Sequence, residues 1–454
     1  MAINPADSAV FGTLYGDDAM RAVWDERAFF QRMLDVEAAL ARVQARLGII
    51  PADAADAITT AATVYNLDTA ELAASVRTVG YPVIGVVKGL SRAAGPEAAR
   101  WTHWGATTQD ILDTAVVLQL RDGLALVRAE LVAITTALAI QAEAHRNTVM
   151  AGRTHLQHAL PTTFGLKVAT WLMPLPDHLE RLDQLLPRAL RVQFGGAAGT
   201  LASLGDKGLA VMAGLAAELG LYEPPGPWHV VRDGMAEAVS LLGLICGSLA
   251  KIATDLILLC QTEVGEVSEP YIAGRGGSST MPQKRNPIAS EYVLAAQRGV
   301  QALVPLMLNA MADDHERGTG PWQAELLALP QAFVLTAGAL MHTRTIAEGM
   351  VVDPARMQKN LAITNGGIMA EAIMMGLAPT LGRETAHHAV KHAIDRVADT
   401  GMTLEDALMM EAEVNAALSR DDIVRLADPA AYLGASGSFI DRILATTKAI
   451  AAPV

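Results

Sequence analysis

Aromatic side chains are scarce: six Trp, seven Tyr and seven Phe make up 4% of the 454 residues, although 51% of the chain is hydrophobic. Ala and Leu must therefore fill the interior, a composition that favours closely packed helices. Only two cysteines are present, and no Cys/His spacing suggests a zinc site. A disulfide framework is thereby excluded, and a reducing compartment fits. No sustained Lys/Arg run relieves the formal net charge of -13, which argues against nucleic acid and against an anionic membrane surface as partners. Met1 to Tyr15 lacks both a basic n-region and an apolar h-region, so no signal peptide is expected. The apolar run from Leu241 to Cys260 is interrupted by Lys251 and Asp255, so no membrane span is expected and the location reads as cytoplasmic. Internal repeats and low-complexity linkers are also absent. At this length the chain can bury a large core and divides into two or three domains.

What is present is a succession of helical periodicities. Residues 25 to 47 carry Phe29, Met33, Val36, Leu40, Val43 and Leu47 alternately four and three apart, with Gly48 and Pro51 as the stop. From Ile111 to Arg146 no proline occurs, and Val117, Leu120, Leu124, Val127, Leu131, Ile134 and Leu138 keep the same rhythm. A second long helix is predicted from Trp228 to about Val267, with Cys246 and Cys260 on its buried seam. Residues 164 to 190, broken by Pro174 and Pro176, and 288 to 312, bent at Pro305, add further helices. Asp353-Pro354 reads as a cap and first-turn proline, and the shorter helical pieces that follow end at Gly434 to Ser438. The fold class is all-α. Three regions are expected: an N-terminal helical domain 1–110, a central long-helix domain 111–352 with a loop at 270–291, and a small C-terminal domain 353–454. Sustained seams on two very long helices imply association with further copies.

Three stretches interrupt the helices with polar chemistry. Gly274 to Pro287 holds three glycines, two serines and two prolines, which forbids a regular helix. From Pro270 to Ser290 there is no acidic side chain, whereas Arg275, Lys284 and Arg285 are basic. Such a stretch is either a solvated surface loop or a seat for an anionic small molecule. Trp101 to Asp110 is dense in hydroxyls and includes His103; Thr108 or Asp110 reads equally well as a helix cap. Gly152 to Thr163 contains Arg153, Thr154, His155, Gln157 and His158, with Pro161 ending the segment. Chemistry alone would choose His155 or a glutamate as a proton-transfer group, since a serine hydroxyl is too weak an acid to ionise unaided. Asp313 to Arg317 is either a surface ion-pair network or a ligand cluster.

The string Gly277-Ser278-Ser279-Thr280-Met281-Pro282-Gln283-Lys284-Arg285-Asn286 resembles the signature of the fumarase/aspartase superfamily, and the resemblance extends from roughly Tyr15 to Gly434. It implies a loop that closes over a di- or tricarboxylate, with Ser279 as catalytic base. Lys284 and Asn286 would hold the carboxylate beside the reacting carbon, and Ser278 and Met281 would be further contacts. Arg153-Thr154-His155-Leu156-Gln157 is similar to the second family motif, which makes His155 a general acid or the group that activates water and Glu291 its orienting partner, with Thr154 and Gln157 as substrate contacts. His103, Thr107 and Thr108 stand in the third motif, Thr108 replacing the usual serine, and Arg317 becomes a carboxylate ligand. The resemblance also implies a homotetramer with each site built from three chains, and neither metal nor organic cofactor.

Within the superfamily, Gln193 to Thr200, Pro227-Trp228-His229 with Arg232-Asp233, and Gly382-Arg383 with Ala386-His387-His388 are similar to the bacterial 3-carboxy-cis,cis-muconate cycloisomerases. That branch implies lactone formation in aromatic-compound breakdown through β-ketoadipate. Adenylosuccinate lyases come next, but Gly318 to Glu325 lacks the Ser and Arg that hold a nucleotide phosphate. His155 is shared with C–N and C–O lyases, whereas some cycloisomerases have a bulky aromatic there. A lyase eliminating fumarate from an N-substituted aspartate therefore stays open.

Overall fold

The computed structural model describes residues 4–271, 277, 280–281 and 283–448. Helices dominate: α1 (Glu26–Arg46), α2 (Thr108–Ala144), α3 (Phe164–Leu172), α4 (Pro174–Ala189), α5 (Asp233–Cys260), α6 (Ile288–Asn309), α7 (Pro321–Gly349) and α8 (Pro354–Leu361) form the framework, with shorter helices between and after them. Among the described residues the strands are two small antiparallel pairs: β1 (Val149–Thr154) with β2 (Gln157–Thr163), and β3 (Val267–Ser268) with β4 (Val351–Val352). The fold is thus all-α, as its composition predicts.

Two compact units result. One comprises Met1–Leu131, His178–Leu249 and Tyr292–Met341; the other comprises Val132–Asp177, Ala250–Glu291 and His342–Val454. The divisions fall inside α2, α4, α5, α6 and α7, so each of these helices contributes residues to both units.

In the first unit, α1 buries Met33, Val36, Leu40 and Val43 as its spacing predicts. Each such side chain removed from water stabilises the fold by about 1.5–3 kcal/mol. The same stripe also buries two polar groups, Glu37 and Gln44. The proline-free run becomes α2, about 55 Å long at roughly 1.5 Å per residue. All seven of its seam positions, Val117 through Leu138, are buried. The helix begins at Thr108 because Asp110, in the first turn, reaches back to accept a hydrogen bond from the Thr107 N–H at 3.0 Å. The cap is therefore made by Asp110 and not by a Thr108 hydroxyl.

The second long helix is shorter than its sequence pattern at both ends. It starts at Asp233, not Trp228, because Trp228 is held by the 192–193 segment: its backbone N–H donates to Gln193 Oε1 and its indole N–H to the Val192 carbonyl. It stops at Cys260, short of Val267, because Gly265 turns the chain with φ +61° and its N–H closes on the Gln261 carbonyl at 2.7 Å. The 164–190 stretch divides at Met173 into α3 and α4. Pro176 sits in the first turn of α4, where a missing N–H costs no intrahelical bond.

In the second unit, Pro161 does not end its segment; it lies within β2 opposite Ala151. A two-stranded ribbon has only edge strands, where proline is tolerated. Gly165 lets α3 approach the end of α2, since a Cβ there would lie 2.6 Å from the Ala142 carbonyl oxygen. Asp353 caps α8 by accepting from the Arg356 N–H, with Pro354 as its first residue. The chain does not end its helical structure at 434–438, because Ser436–Lys448 forms a further helix. Arg146 fastens that helix through the Gly437 carbonyl and the Asp441 carboxylate.

By length and composition α2, α5 and α7 could each cross a bilayer. Lys251 and Asp255 therefore do not exclude α5 as the sequence reading expected. Within the fold these charges are already used: Lys251 pairs with Asp255, which also accepts from Trp171 Nε1 at 2.7 Å.

Candidate active site

The first polar stretch is organised by Asp110. One carboxylate oxygen accepts from the Gly195 N–H and from His229 Nε2, and the other from the Gly196 and Thr107 N–H groups, all within 3.0 Å. Asp110 and His229 are both buried, so these bonds are worth more than surface ones. They hold the Thr107-Thr108 helix start beside the Gly195-Gly196-Ala197 loop. Arg317 donates to the Ala197 carbonyl at 3.0 Å, which brings it to the same loop.

His103 stands just before this helix in a left-handed conformation, φ 61°. Its Nδ1 lies 2.6 Å from Glu37 Oε1 of α1. Burial disfavours the imidazolium, but the charge and hydrogen bond of Glu37, aided by Asp110, outweigh it and hold His103 above the usual histidine range. Seven residues further along α1, Gln44 donates to the Trp104 carbonyl at 2.6 Å.

Beneath lies a buried polar cluster. Arg232 donates to both oxygens of Asp113 and to both oxygens of Glu325, Trp228 lies 4.9 Å from its guanidinium, and Trp322 Nε1 donates to Asp113. Gln109 ties Asp113 to the His229 carbonyl. The carboxylates keep Arg232 cationic despite its burial. Burial in turn raises Glu325. No sequence motif marks Glu37 or Asp113, and His229 and Arg232 stand in the sequence only as marks of a family branch, without a role. The signal was available in part: Glu37 and Gln44 fall on the apolar stripe of α1, where an unpartnered polar group would be costly.

The second polar stretch is a hairpin. Thr154 faces Gln157 at its tip, and the two residues between, His155 and Leu156, have φ 49° and 64°. Positive φ at both positions is the condition of a type I′ turn, which favours Asn-Gly. A histidine and a leucine there cost roughly 1–2 kcal/mol each. Thr154, His155 and Gln157 are exposed, and Leu156 is 72% exposed. At the root, Arg153 pairs with the fully buried Glu266, which also accepts from Asn360. Opposite Arg153 in the ribbon lies His158, kept below the usual range by burial and by the Arg153 charge.

The third stretch begins at Glu269. Its carboxylate accepts from the Ala289 and Ser290 N–H groups and the Ser290 hydroxyl at 2.8–3.0 Å, so it caps α6 and fixes both ends of the intervening loop. Gly277 bridges to Arg285, whose guanidinium lies 5.1 Å from the Tyr271 ring. Met281 and Lys284 are exposed and Asn286 half-buried. Ser278 and Ser279 lie outside the described residues. Glu291 is exposed, and within one chain it makes no hydrogen bond to His155. Among the described residues no group of His, Cys, Asp or Glu is arranged to hold a metal ion.

Taken separately, the acid-free, basic stretch from Pro270 to Ser290 suits an anionic substrate, and the imidazoles of His103 and His155 suit proton transfer. The family described as lyase matches residues 15–302, and that described as adenylosuccinate lyase C-terminus matches residues 366–443. The 3-carboxy-cis,cis-muconate cycloisomerase of Pseudomonas aeruginosa is 48% identical over 453 residues, covering 99% of this chain and 98% of that protein. Trans-aconitate decarboxylase 1 of Mycosarcoma maydis is 44% identical, covering 97% of this chain and 89% of its own. Among solved structures, the 3-carboxy-cis,cis-muconate lactonizing enzyme of Pseudomonas putida matches with a TM-score of 0.94 at 43% identity, over 98% of this chain and all of that one. Sequence and fold agree along the whole chain: it is an enzyme of the lyase family, within the fumarase/aspartase superfamily.

Proposed function

We infer that the chain interconverts 3-carboxy-cis,cis-muconate and its carboxymuconolactone. The observation that carries this reading is the end-to-end relation to the Pseudomonas aeruginosa cycloisomerase. The Pseudomonas aeruginosa and Mycosarcoma maydis relatives are both called after unsaturated tricarboxylates, which suits the acid-free, basic stretch from Pro270 to Ser290. In the lactonising direction a carboxylate oxygen adds across the double bond, and the carbon next to a carboxylate takes up a proton. In reverse, Ser279 removes that proton, the charge passes into the carboxylate as an aci-carboxylate, and the ring C–O bond breaks. Lys284, Asn286 and loop N–H groups stabilise the developing charge, at roughly 3 kcal/mol per preorganised donor. His103, Thr107, Thr108, Thr154, Gln157, Ser278, Met281 and Arg317 bind the remaining carboxylates. His155, oriented by Glu291, is the proton-transfer partner.

The active assembly is a homotetramer in which sites are shared between chains, in the cytoplasm. Two features support it: the exposed hairpin tip, and large apolar side chains left open on the long helices, Ile140 at 64%, Leu244 at 55% and Leu308 at 51% exposure. Copies of the chain, rather than lipid, cover them. Neither a metal nor an organic cofactor takes part.

The test is turnover of 3-carboxy-cis,cis-muconate, followed by loss of ultraviolet absorbance, beside carbon dioxide release from trans-aconitate. No reaction with the muconate removes the proposal. A second reading, elimination of fumarate from an N-substituted aspartate, is favoured by one observation, the imidazole of His155 at the strained turn. Fumarate appearing from a succinyl-amine, with no muconate turnover, selects it.

A further inference from the structure

We propose that Glu37, buried in α1 and remote in sequence from all three polar stretches, is a positioning residue that keeps His103 charged and aims its Nε2–H at a substrate carboxylate. The inference rests on the substrate class proposed above and adds the device that sets the charge of one ligand. Three observations support it. First, Glu37 is 2% exposed, and its carboxylate oxygen lies 2.6 Å from His103 Nδ1. That contact fixes Nδ1 as the donor to Glu37 and leaves Nε2, which bonds to no described residue, as the ring's outward group. Second, the turn bearing His103 is held twice by the same face of α1, because Gln44 anchors the next residue, Trp104, through its carbonyl. Residues 37 and 44 are two helical turns apart, so one rigid element sets both the height and the rotation of the imidazole. Third, His103 adopts φ 61°, a conformation that a non-glycine residue seldom takes without support.

The groups acting on the ring are Glu37 from α1 and Asp110 from α2. Asp110 is committed to Gly195, Gly196, Thr107 and His229, which leaves Glu37 as the direct partner. With Glu37 in place His103 stays an imidazolium to higher pH than an ordinary histidine, and it offers a polycarboxylate a charge-assisted hydrogen bond. Glu37→Gln keeps the shape and a hydrogen-bonding group but removes the charge. Binding should then be about tenfold weaker at a pH between the His103 midpoints of wild type and variant, the loss of one charge-assisted bond, and unchanged at a pH below both.

The experiment titrates the full-length protein, labelled with carbon-13 at histidine Cε1, by NMR, taking the resonance lost in His103→Asn as that of His103. In parallel, calorimetry measures binding of tricarballylate, a saturated tricarboxylate, to wild type, Glu37→Gln and His103→Asn at both pH values. Support is a His103 midpoint that falls in Glu37→Gln while other histidines hold still, with the binding loss confined to the pH between the two midpoints. Identical His103 titration in wild type and Glu37→Gln overturns the proposal, as does a binding loss equal at both pH values. If Glu37 controls the titration but the wild type neither binds tricarballylate nor turns over 3-carboxy-cis,cis-muconate, the coupling stands and the substrate reading falls. Should Glu37→Gln fold poorly, Glu37→Asp, which keeps the charge but withdraws it from Nδ1, gives the same readouts, a lowered His103 midpoint supporting the proposal and an unchanged one overturning it.

Discussion

Arg153 and Glu266 form a two-pronged ion pair, with N–O distances of 2.9 and 2.7 Å, that joins the root of the His155 hairpin to the segment leading into the 270–290 loop. Glu266→Ala would leave the guanidinium without its partner and Asn360 without one of its acceptors. We expect a loss of about 3 kcal/mol in stability. Hydrogen exchange should show it first in β1 and β2. Unchanged protection there would mean that the pair contributes nothing to the hairpin.

Ser279→Ala should abolish turnover and leave the circular dichroism and melting temperature of wild type. A variant that works at near-normal rate would remove the serine from the chemistry.

His155→Asn separates the turn from the imidazole, because asparagine tolerates positive φ. The hairpin should persist and the rate should fall. A loss of about 100-fold or more would mark a general acid and favour an eliminating lyase. A smaller loss fits a cycloisomerase, which makes this variant a mechanistic discriminator as well as a site test.

Stability should depend on pH through His103. Its proton affinity is raised in the folded state. The pair's contribution is therefore complete below the unfolded value of about 6.5 and is lost as pH rises through the folded value. Melting temperatures followed upward from about pH 6 should decline more steeply in wild type than in His103→Asn. Equal slopes would show that the Glu37 contact is not energetically coupled to protonation.

Neither cysteine should matter to activity. Burial pushes the Cys246 thiol up to about 12 and the Cys260 thiol to about 11, so at neutral pH little thiolate exists to react. Iodoacetamide at pH 7.5 should leave the native enzyme active, and rapid inactivation would overturn that.

The long-helix pattern was legible because periodicity is local: every seam residue from Val117 to Leu138 is buried as its spacing requires. The hairpin at 149–163 was not, since two short strands pair by a register that no single window contains, and Pro161 reads as a breaker unless both strands are known to be edges. Helix ends were misjudged where distant contacts decide them, as at Trp228, taken by Gln193 and Val192. For the site, the motifs supply the groups proposed to face a substrate. Their supports were invisible because they act at long range: Glu37 for His103, Glu266 for Arg153, and Glu269 for the two ends of the loop.

The Glu269 cap bears on how such an enzyme could diversify. Because the carboxylate secures residue 269 to residues 289 and 290, the anchors on either side of the intervening sequence are held independently of it. On the substrate reading proposed above, exchanging its side chains would alter which acid is accepted without asking the helices to fold anew, and transplanting this segment between relatives becomes a route to new specificities.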